Sequence, residues 1–440
     1  MSRHVAVIGA GWAGCAAAVE LVAQGRQVTL FEAARTAGGR AREVTFNDYS
    51  LDNGQHILLG AYAETLRLMA LVGVNIQTAV LRVPLQMRYP ANTGMDFVAA
   101  KLPAPWHLLV GMLRASGLAA ADKFALVSFS ASARRIDWTL EHDCSVTDLL
   151  RAFHQTERLI QLMWRPLCLA ALNTPPEEAS AQVFLQVLKD SLGAQRASSD
   201  MLLPRVDLSA LFPMPAIDYI VARGGSVNFG KRISALRRDS YGWSLQSGAN
   251  ASAESTHIVD QVIIATDLHN ARALLKPLTG NIVMPEATHQ AITTCYLQYE
   301  ASCRLDAVFY ALADNPLLGH WGQFVFDRGQ LTVAQQGLFA VVISAAQQAI
   351  LLDHTDLIAA VTAQLALVFS RPDFAHPLWS KVISEKRATF SCVPGMPRAG
   401  NDIGLGDVVL AGDYTASSYP ATLEAAVRSG VTAARSLIGS

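Results

Sequence analysis

The chain has 440 residues, 51% hydrophobic and 16% charged, with 35 basic and 36 acidic side chains and a formal net charge of −1. At roughly 150 residues per domain, two to three structural units are expected. High apolar content at near-zero net charge excludes a mainly disordered chain, and the balanced charge argues against a nucleic-acid partner.

Met1–Ala23 carries Arg3 ahead of apolar and small residues, the general look of a secretory leader. The same stretch reads better as a strand (His4–Gly9), a glycine turn and an Ala-rich helix (Cys15–Gln24) that stops near Gly25. Gln27–Phe31 is a second apolar strand, so the opening is a βαβ unit. Lys101–Arg135 reads as strongly apolar helix with breaks near Gly117 and Asp122. Asp143–Leu192 is again mainly helical, interrupted at Pro166 and Pro175-Pro176. Leu203–Pro215 reads as a Pro-punctuated connector. Gly224-Gly225 introduces paired strands at Ile233–Arg238 and Gly242–Gln246, then a buried strand over Val259–Ala265. A further strand is expected over Thr293–Glu300 and an amphipathic helix over Thr355–Phe369. The chain closes with a strand and turn at Val408–Asp413 and a helix over Thr422–Leu437. No stretch of about 18 uninterrupted apolar residues is present, which disfavours a spanning helix. The six cysteines form no CxxC pair, so neither a zinc site nor a disulfide framework is expected, and no metal is assigned. Reduced, mostly buried thiols fit a cytoplasmic protein.

Four features carry chemistry. Gly9-x-Gly11-x-x-Gly14 lies after a strand and at a helix start. There the first glycine permits a tight turn, the second a close approach of backbone to pyrophosphate, and the third close helix–strand packing. The helix N-terminus adds unpaired N–H groups and a positive dipole end. Glu32 ends the second strand, where an acidic residue accepts from ribose hydroxyls. Next comes Gly38-Gly39-Arg40 with Arg42. Arg40 could pair with pyrophosphate charge, and Arg42 is either a cofactor contact or a structural arginine. The third is Leu51-Asp52-Asn53-Gly54-Gln55-His56, a polar cluster suited to lie near a flavin ring. His56 is flagged there, either as a hydrogen-bonded structural histidine or as a proton-transfer group. The fourth is Gly412-Asp413, which ends a buried strand before Thr422 and Leu423 start a helix. Asp413 can accept from ribityl hydroxyls, and the helix start can face phosphate and flavin.

Together these features resemble the FAD-dependent amine oxidase and phytoene desaturase superfamily. The resemblance implies FAD, bound by an N-terminal βαβ unit, a GGR segment and a C-terminal GD turn. Gly224-Gly225 matches the family segment that precedes an adenine contact, implied at Ile233. The stretches LDNGQHILLGAY (Leu51–Tyr62) and LAGDYTASSYPATLEAAVRSG (Leu410–Gly430) further resemble its squalene-associated branch, the bacterial hydroxysqualene dehydroxylases of hopanoid biosynthesis. That branch often has Trp after the GD pair, where this chain has Tyr414, and another aromatic is common where Tyr419 stands.

The narrower likeness implies reductive removal of an allylic hydroxyl from hydroxysqualene, with hydride from reduced FAD reaching an allylic cation to give squalene. Tyr414 and Tyr419, with His56, are the pocket candidates. No general acid is singled out. The implied fold is α/β: a Rossmann-like FAD-binding domain (1–85, 216–280 and 391–440) interleaved with an α+β substrate domain. The substrate parts are a mainly helical substrate or membrane-contact region (86–215) and a second piece (281–390). The implied partners are a large apolar isoprenoid and neighbouring squalene-pathway enzymes. Leu102–Phe129 is either a buried helical layer or a peripheral contact with the inner face of the cytoplasmic membrane. The rival readings are an oxidative polyene desaturase, a flavin amine oxidase and a non-catalytic prenyl-binding escort.

Overall fold

A computed structural model describes residues 3–248, 255–279 and 286–439. The expected boundary at 280/281 lies outside the described residues. Two five-stranded sheets organise the molecule. In chain order their strands are β1 (His4–Ile8), β2 (Gln27–Phe31), β3 (Ser226–Asn228), β4 (Gln261–Ile264), β5 (His289–Gln298), β6 (Phe309–Ala311), β7 (Phe324–Asp327), β8 (Leu338–Ile343), β9 (Trp379–Phe390) and β10 (Val408–Leu410). The helices that matter below are α1 (Trp12–Ala23), α2 (Trp106–Arg114), α3 (Ala120–Arg135), α4 (Arg165–Leu172), α5 (Pro213–Ala222) and α6 (Leu423–Ile438).

The first sheet is parallel with order β3-β2-β1-β4-β10. Its inner strands are short, β-branched and buried on both faces, as a helix-covered parallel sheet requires. Chain direction across the sheet reverses at β1, with β2 on one side and β4 on the other. Such a switch point opens a crevice beyond the carboxyl ends of the strands. The glycine turn leaves β1 there, and Glu32 leaves β2 beside it. α1, α5 and α6 cover one face through Val19, Leu21, Ile217, Ile220, Val427 and Val431.

The second sheet is antiparallel with order β6-β7-β8-β5-β9. Its strands alternate between two apolar layers. Val325, Val341 and Ile343 pack with Leu357, Val361 and Leu365 of the helix His354–Val368. Phe324, Phe326 and Val342 point to the opposite face, toward the crevice of the first sheet.

Several local expectations are corrected. The segment expected as a connector over Leu203–Pro215 holds the end of a strand (Met201–Pro204), a short helix (Leu208–Leu211) and the start of α5. Pro213 is tolerated because it stands at the first helical position. The expected strand over Val259–Ala265 is split at Asp260. Val259 ends the antiparallel strand Ser255–Val259, and Gln261 opens β4. Residues 86–215, expected to be mainly helical, open on a hairpin that pairs Gln86–Arg88 with Asp96–Val98 before the helices begin. Pro166 does not break the helix. One π-helical turn (Ile160–Trp164) runs directly into α4. Pro166 has no N–H to offer the carbonyl four residues earlier, and the Tyr89 hydroxyl donates to that Leu162 oxygen instead, at 3.0 Å. All six cysteine thiols are free.

Candidate active site

A cavity of about 740 Å³ runs from the crevice of the parallel sheet to the inner face of the antiparallel sheet. One end is walled by the glycine turn. Gly9 has φ +106°, and a Cβ there would sit 2.7 Å from the Ala265 carbonyl oxygen. Gly11 is the N-cap of α1 in extended conformation, and no side chain among the described residues caps the helix. The first N–H groups of α1 therefore keep their capacity to bind an anionic group. Gly14 does not line the cavity. It lies where α1 crosses β1, and a Cβ would fall 1.8 Å from the Gly9 oxygen.

Glu32 lines the cavity, but both its oxygens also brace the local backbone. Oε2 accepts from Ala10 N–H at 2.7 Å and Oε1 from Ala34 N–H at 2.7 Å. Glu32→Ala is therefore expected to weaken FAD retention and also to lower apoprotein stability by about 1–3 kcal/mol, because two N–H groups lose their acceptor. Thermal unfolding with and without added FAD separates the two effects. Full FAD occupancy at limiting cofactor would remove Glu32 from the binding site.

Gly39, Arg40, Gly54, Gln55, His56, Ile233, Gly412, Asp413, Thr422 and Leu423 also line the cavity. Arg40 is already committed. Its Nη2 donates to both Asp413 oxygens at 2.7 and 2.8 Å, and Nη1 donates to the Ala388 oxygen at 2.6 Å. The guanidinium thus ties the N-terminal loop to the C-terminal turn, and pairing with a phosphate would have to compete with Asp413. Arg42 braces its own loop, donating to the Gly39 oxygen at 2.6 Å. Thr422 is the N-cap of α6, and its hydroxyl accepts from Ala425 N–H. Glu424 turns away from the cavity. It caps the helix Ala63–Leu71 by accepting from Glu64 and Thr65 N–H, and it holds Arg428.

The middle of the cavity is polar and the far end apolar. Asn53 bridges the Arg40 oxygen (2.8 Å) and Glu385 (3.3 Å). His56 Nδ1 lies 2.8 Å from the Gly54 oxygen. Burial pushes the His56 pKa down, with the Gly54 hydrogen bond as partial offset, so the ring is held neutral. Beyond these residues the wall is Ile57, Leu85, Met87, Leu167, Met201, Phe324, Phe326 and Ile383. Behind the polar part lies a buried network. Arg328 donates to Gln55 (2.9 Å) and Gln335 (2.8 Å), and it approaches Asp52 to 3.9 Å.

Two pocket candidates are placed elsewhere. The Tyr414 ring folds back over its own turn, so close that a Cβ on Gly412 would meet its Cε1 at 2.5 Å. It is buried in the apolar layer with Leu410 and Ala421, and its hydroxyl has no hydrogen-bond partner among the described residues. The Tyr419 hydroxyl donates to Asp190, and Arg428 covers its ring at 4.7 Å. Neither ring lines the cavity. The aromatic side chains that line the apolar end are Phe324 and Phe326 instead. The only local sign of them is the alternation Phe324-Val325-Phe326 within an apolar strand. Among the described residues no group of three His, Cys, Asp or Glu side chains could hold a metal ion.

The family model described as flavin containing amine oxidoreductase matches residues 12–438. A hydroxysqualene dehydroxylase of Rhodopseudomonas palustris is 29% identical, over 99% of this chain and 98% of the relative. A 15-cis-phytoene desaturase of Capsicum annuum is 23% identical, over 99% of this chain and 78% of the relative. Among solved structures, cyclohexylamine oxidase from Brevibacterium oxydans superposes with a TM-score of 0.67 at 16% identity, covering 100% of this chain and 99% of that one. At that identity the likeness speaks to the fold.

Proposed function

The chain belongs to the flavin-containing amine oxidoreductase family and is an FAD-dependent oxidoreductase, and from this premise we propose that it reduces hydroxysqualene to squalene. The observation that carries the reading is the two-part cavity, with a glycine and N–H wall at one end and an apolar wall at the other. The N-terminal part suits FAD. A Cβ on Gly11 would meet nothing nearer than the Gly39 Cα at 4.0 Å, so that glycine leaves space at the free N-terminus of α1 rather than serving packing. In this reading the turn at Gly9 and Gly11 takes the pyrophosphate, Glu32 the ribose, and Ile233 the adenine. Gly412, Thr422 and Leu423 take the flavin end, while the Arg40–Asp413 pair holds that wall in place.

Reduced FAD, when bound, supplies the hydride that replaces the hydroxyl, and a proton must accompany the departing oxygen as water. The chain's own residues bind, orient and shield. Leu85, Met87, Leu167 and Met201 give a long hydrocarbon an apolar bed and keep bulk water from the reacting carbon. Phe324 and Phe326 offer ring faces to developing positive charge without supplying a nucleophile. A neutral His56 is a poor general acid but a good hydrogen-bond acceptor.

No helix among the described residues is long and apolar enough to cross a membrane. Trp106, Leu113, Phe124 and Val127 are nonetheless exposed on α2 and α3, with Arg114 exposed at the end of α2 and Lys101 exposed in the segment before it. This surface supports peripheral contact with an anionic bilayer as the route of a water-insoluble substrate.

The decisive assay is an anaerobic single turnover. Chemically reduced enzyme mixed with hydroxysqualene in detergent is expected to regain oxidised-flavin absorbance and yield squalene in equal amount. Bound FAD that is not reoxidised would overturn the reading. Turnover of a polyene by oxidised enzyme would then assign the oxidative desaturase reaction, to which the Capsicum annuum relative points.

A further inference from the structure

We propose that Gln55 and His56 form a recognition pair for the substrate hydroxyl, one fixed donor beside one fixed acceptor, with buried Arg328 as the residue that sets the donor. The identity of the alcohol rests on the reading above, whereas the preference for an alcohol over a hydrocarbon follows from the pair itself.

The orientation of Gln55 follows from its partner. Arg328 is 3% exposed, and its guanidinium can only donate. It lies 2.9 Å from Gln55, so the amide must present Oε1 to it, and Nε2 faces the other way. One Nε2 hydrogen goes to the His56 carbonyl oxygen at 3.2 Å, and the second has no acceptor among the described residues, in a side chain that lines the cavity. Gln335 Oε1 accepts from Arg328 Nε at 2.8 Å and fixes the guanidinium from its far side.

The same reasoning fixes the His56 tautomer. A carbonyl oxygen only accepts, so Nδ1, 2.8 Å from the Gly54 oxygen, carries the proton. The ring is neutral, and Nε2 is left with a lone pair and no protein donor in range among the described residues. An N–H and a lone pair on adjacent residues complement a hydroxyl, which accepts and donates at once. A hydrocarbon chain in the same place would bury both groups unpaired, which costs binding free energy. The pair therefore favours entry of an alcohol and departure of the deoxygenated product.

Binding tests this without requiring turnover. Oxidised holoenzyme is titrated with hydroxysqualene and with squalene in the same detergent, following perturbation of the flavin spectrum. The wild type is expected to prefer the alcohol by about tenfold or more. Gln55→Glu keeps a partner for Arg328 but has no donor, and His56→Phe removes the acceptor. Each is expected to lower the preference severalfold by weakening alcohol binding alone, with squalene affinity and flavin spectrum retained. Arg328→Lys, which cannot hold Gln55 and Gln335 together, is expected to lower it as well. Turnover of hydroxysqualene with no preference in the wild type, or with the preference intact in both Gln55→Glu and His56→Phe, overturns the pair and leaves the reaction standing. A preference that these variants abolish, in an enzyme that does not reduce hydroxysqualene, establishes the pair and removes the reaction.

Discussion

Gly14→Val is expected to give a protein that neither retains FAD nor reaches native stability. The new Cβ would sit 1.8 Å from the Gly9 carbonyl oxygen and 3.2 Å from the Ala265 Cβ. The first obstacle is backbone, so no rotamer change relieves it, and α1 must lift from β1. Overpacking of this kind costs at least about 3 kcal/mol. Lifting α1 also moves the N–H groups that face the cavity. Gly11→Ala separates the two effects. Its Cβ meets no protein atom closer than 4.0 Å, and its backbone is already extended. That variant is expected to melt within about 2 °C of the wild-type apoprotein, as a surface substitution of roughly ±0.5 kcal/mol would, yet to lose most bound flavin. The checks are the flavin-to-protein ratio after purification and thermal unfolding of the apoproteins. Full flavin content in Gly11→Ala would refute the role of this turn as the pyrophosphate cradle.

The same contrast shows what the sequence makes legible. The glycine turn is a local device. Strand, turn and helix are contiguous, so residues 4–32 suffice to read it, and Glu32 follows from its place at the end of β2. Asp413 and Thr422 are distant but sit in their own strand–turn–helix, and the resemblance ties them to the first motif. The match of the family model to residues 12–438 bears out the fold class and the flavin. Tyr414 and Tyr419 show where local reading stops. An aromatic residue beside a motif shares its neighbourhood, but the backbone turn at Gly412 decides which way the ring points. Here it points into the protein.

The apolar end and the network behind Gln55 are illegible in the sequence for a different reason. Phe324 and Phe326 lie in a four-residue strand, too short for alternation to tell a cavity face from a core face. Arg328 is 273 residues from Gln55, and nothing near it in the chain marks a buried arginine. Its value arises only when β7 is laid against the loop after Asp52, a pairing made by the tertiary structure. In the sequence Asp52 stands out only as part of a polar run. Its approach to Arg328 comes from the same pairing, and a second distant element, the short helix Leu208–Leu211, adds the Leu208 N–H that it accepts at 2.8 Å.

Arg328→Met is expected to be the most destabilising substitution among those that leave the glycine turns intact, and its cost is expected to depend on pH. Arg328 and Asp52 are both nearly inaccessible, with the guanidinium 3.9 Å from the carboxylate. Burial pushes the Asp52 pKa up to about 6, while Arg328 and the Leu208 hydrogen bond pull against that rise. Removing Arg328 leaves a buried carboxylate without its cation and takes the donor from Gln55 and Gln335, for a loss of about 3–5 kcal/mol near neutral pH. The folded-state pKa of Asp52 lies above the ordinary 3.8, so folding favours the protonated form. The stabilisation from that protonation is complete below about pH 3.8 and is lost as pH rises through about 6. In Arg328→Met the pKa climbs further, so the deficit is expected to be larger at pH 7.5 than at pH 5. Asp52→Asn removes the charge yet keeps an oxygen for Leu208 N–H. The double variant Asp52→Asn/Arg328→Met is therefore expected to be more stable than Arg328→Met at pH 7.5 and to show little of its pH dependence. Thermal melts of the four apoproteins at the two pH values complete the cycle. Additive losses, the same at both pH values, would mean that Arg328 acts through its hydrogen bonds to the two glutamines and not as the counter-charge of Asp52.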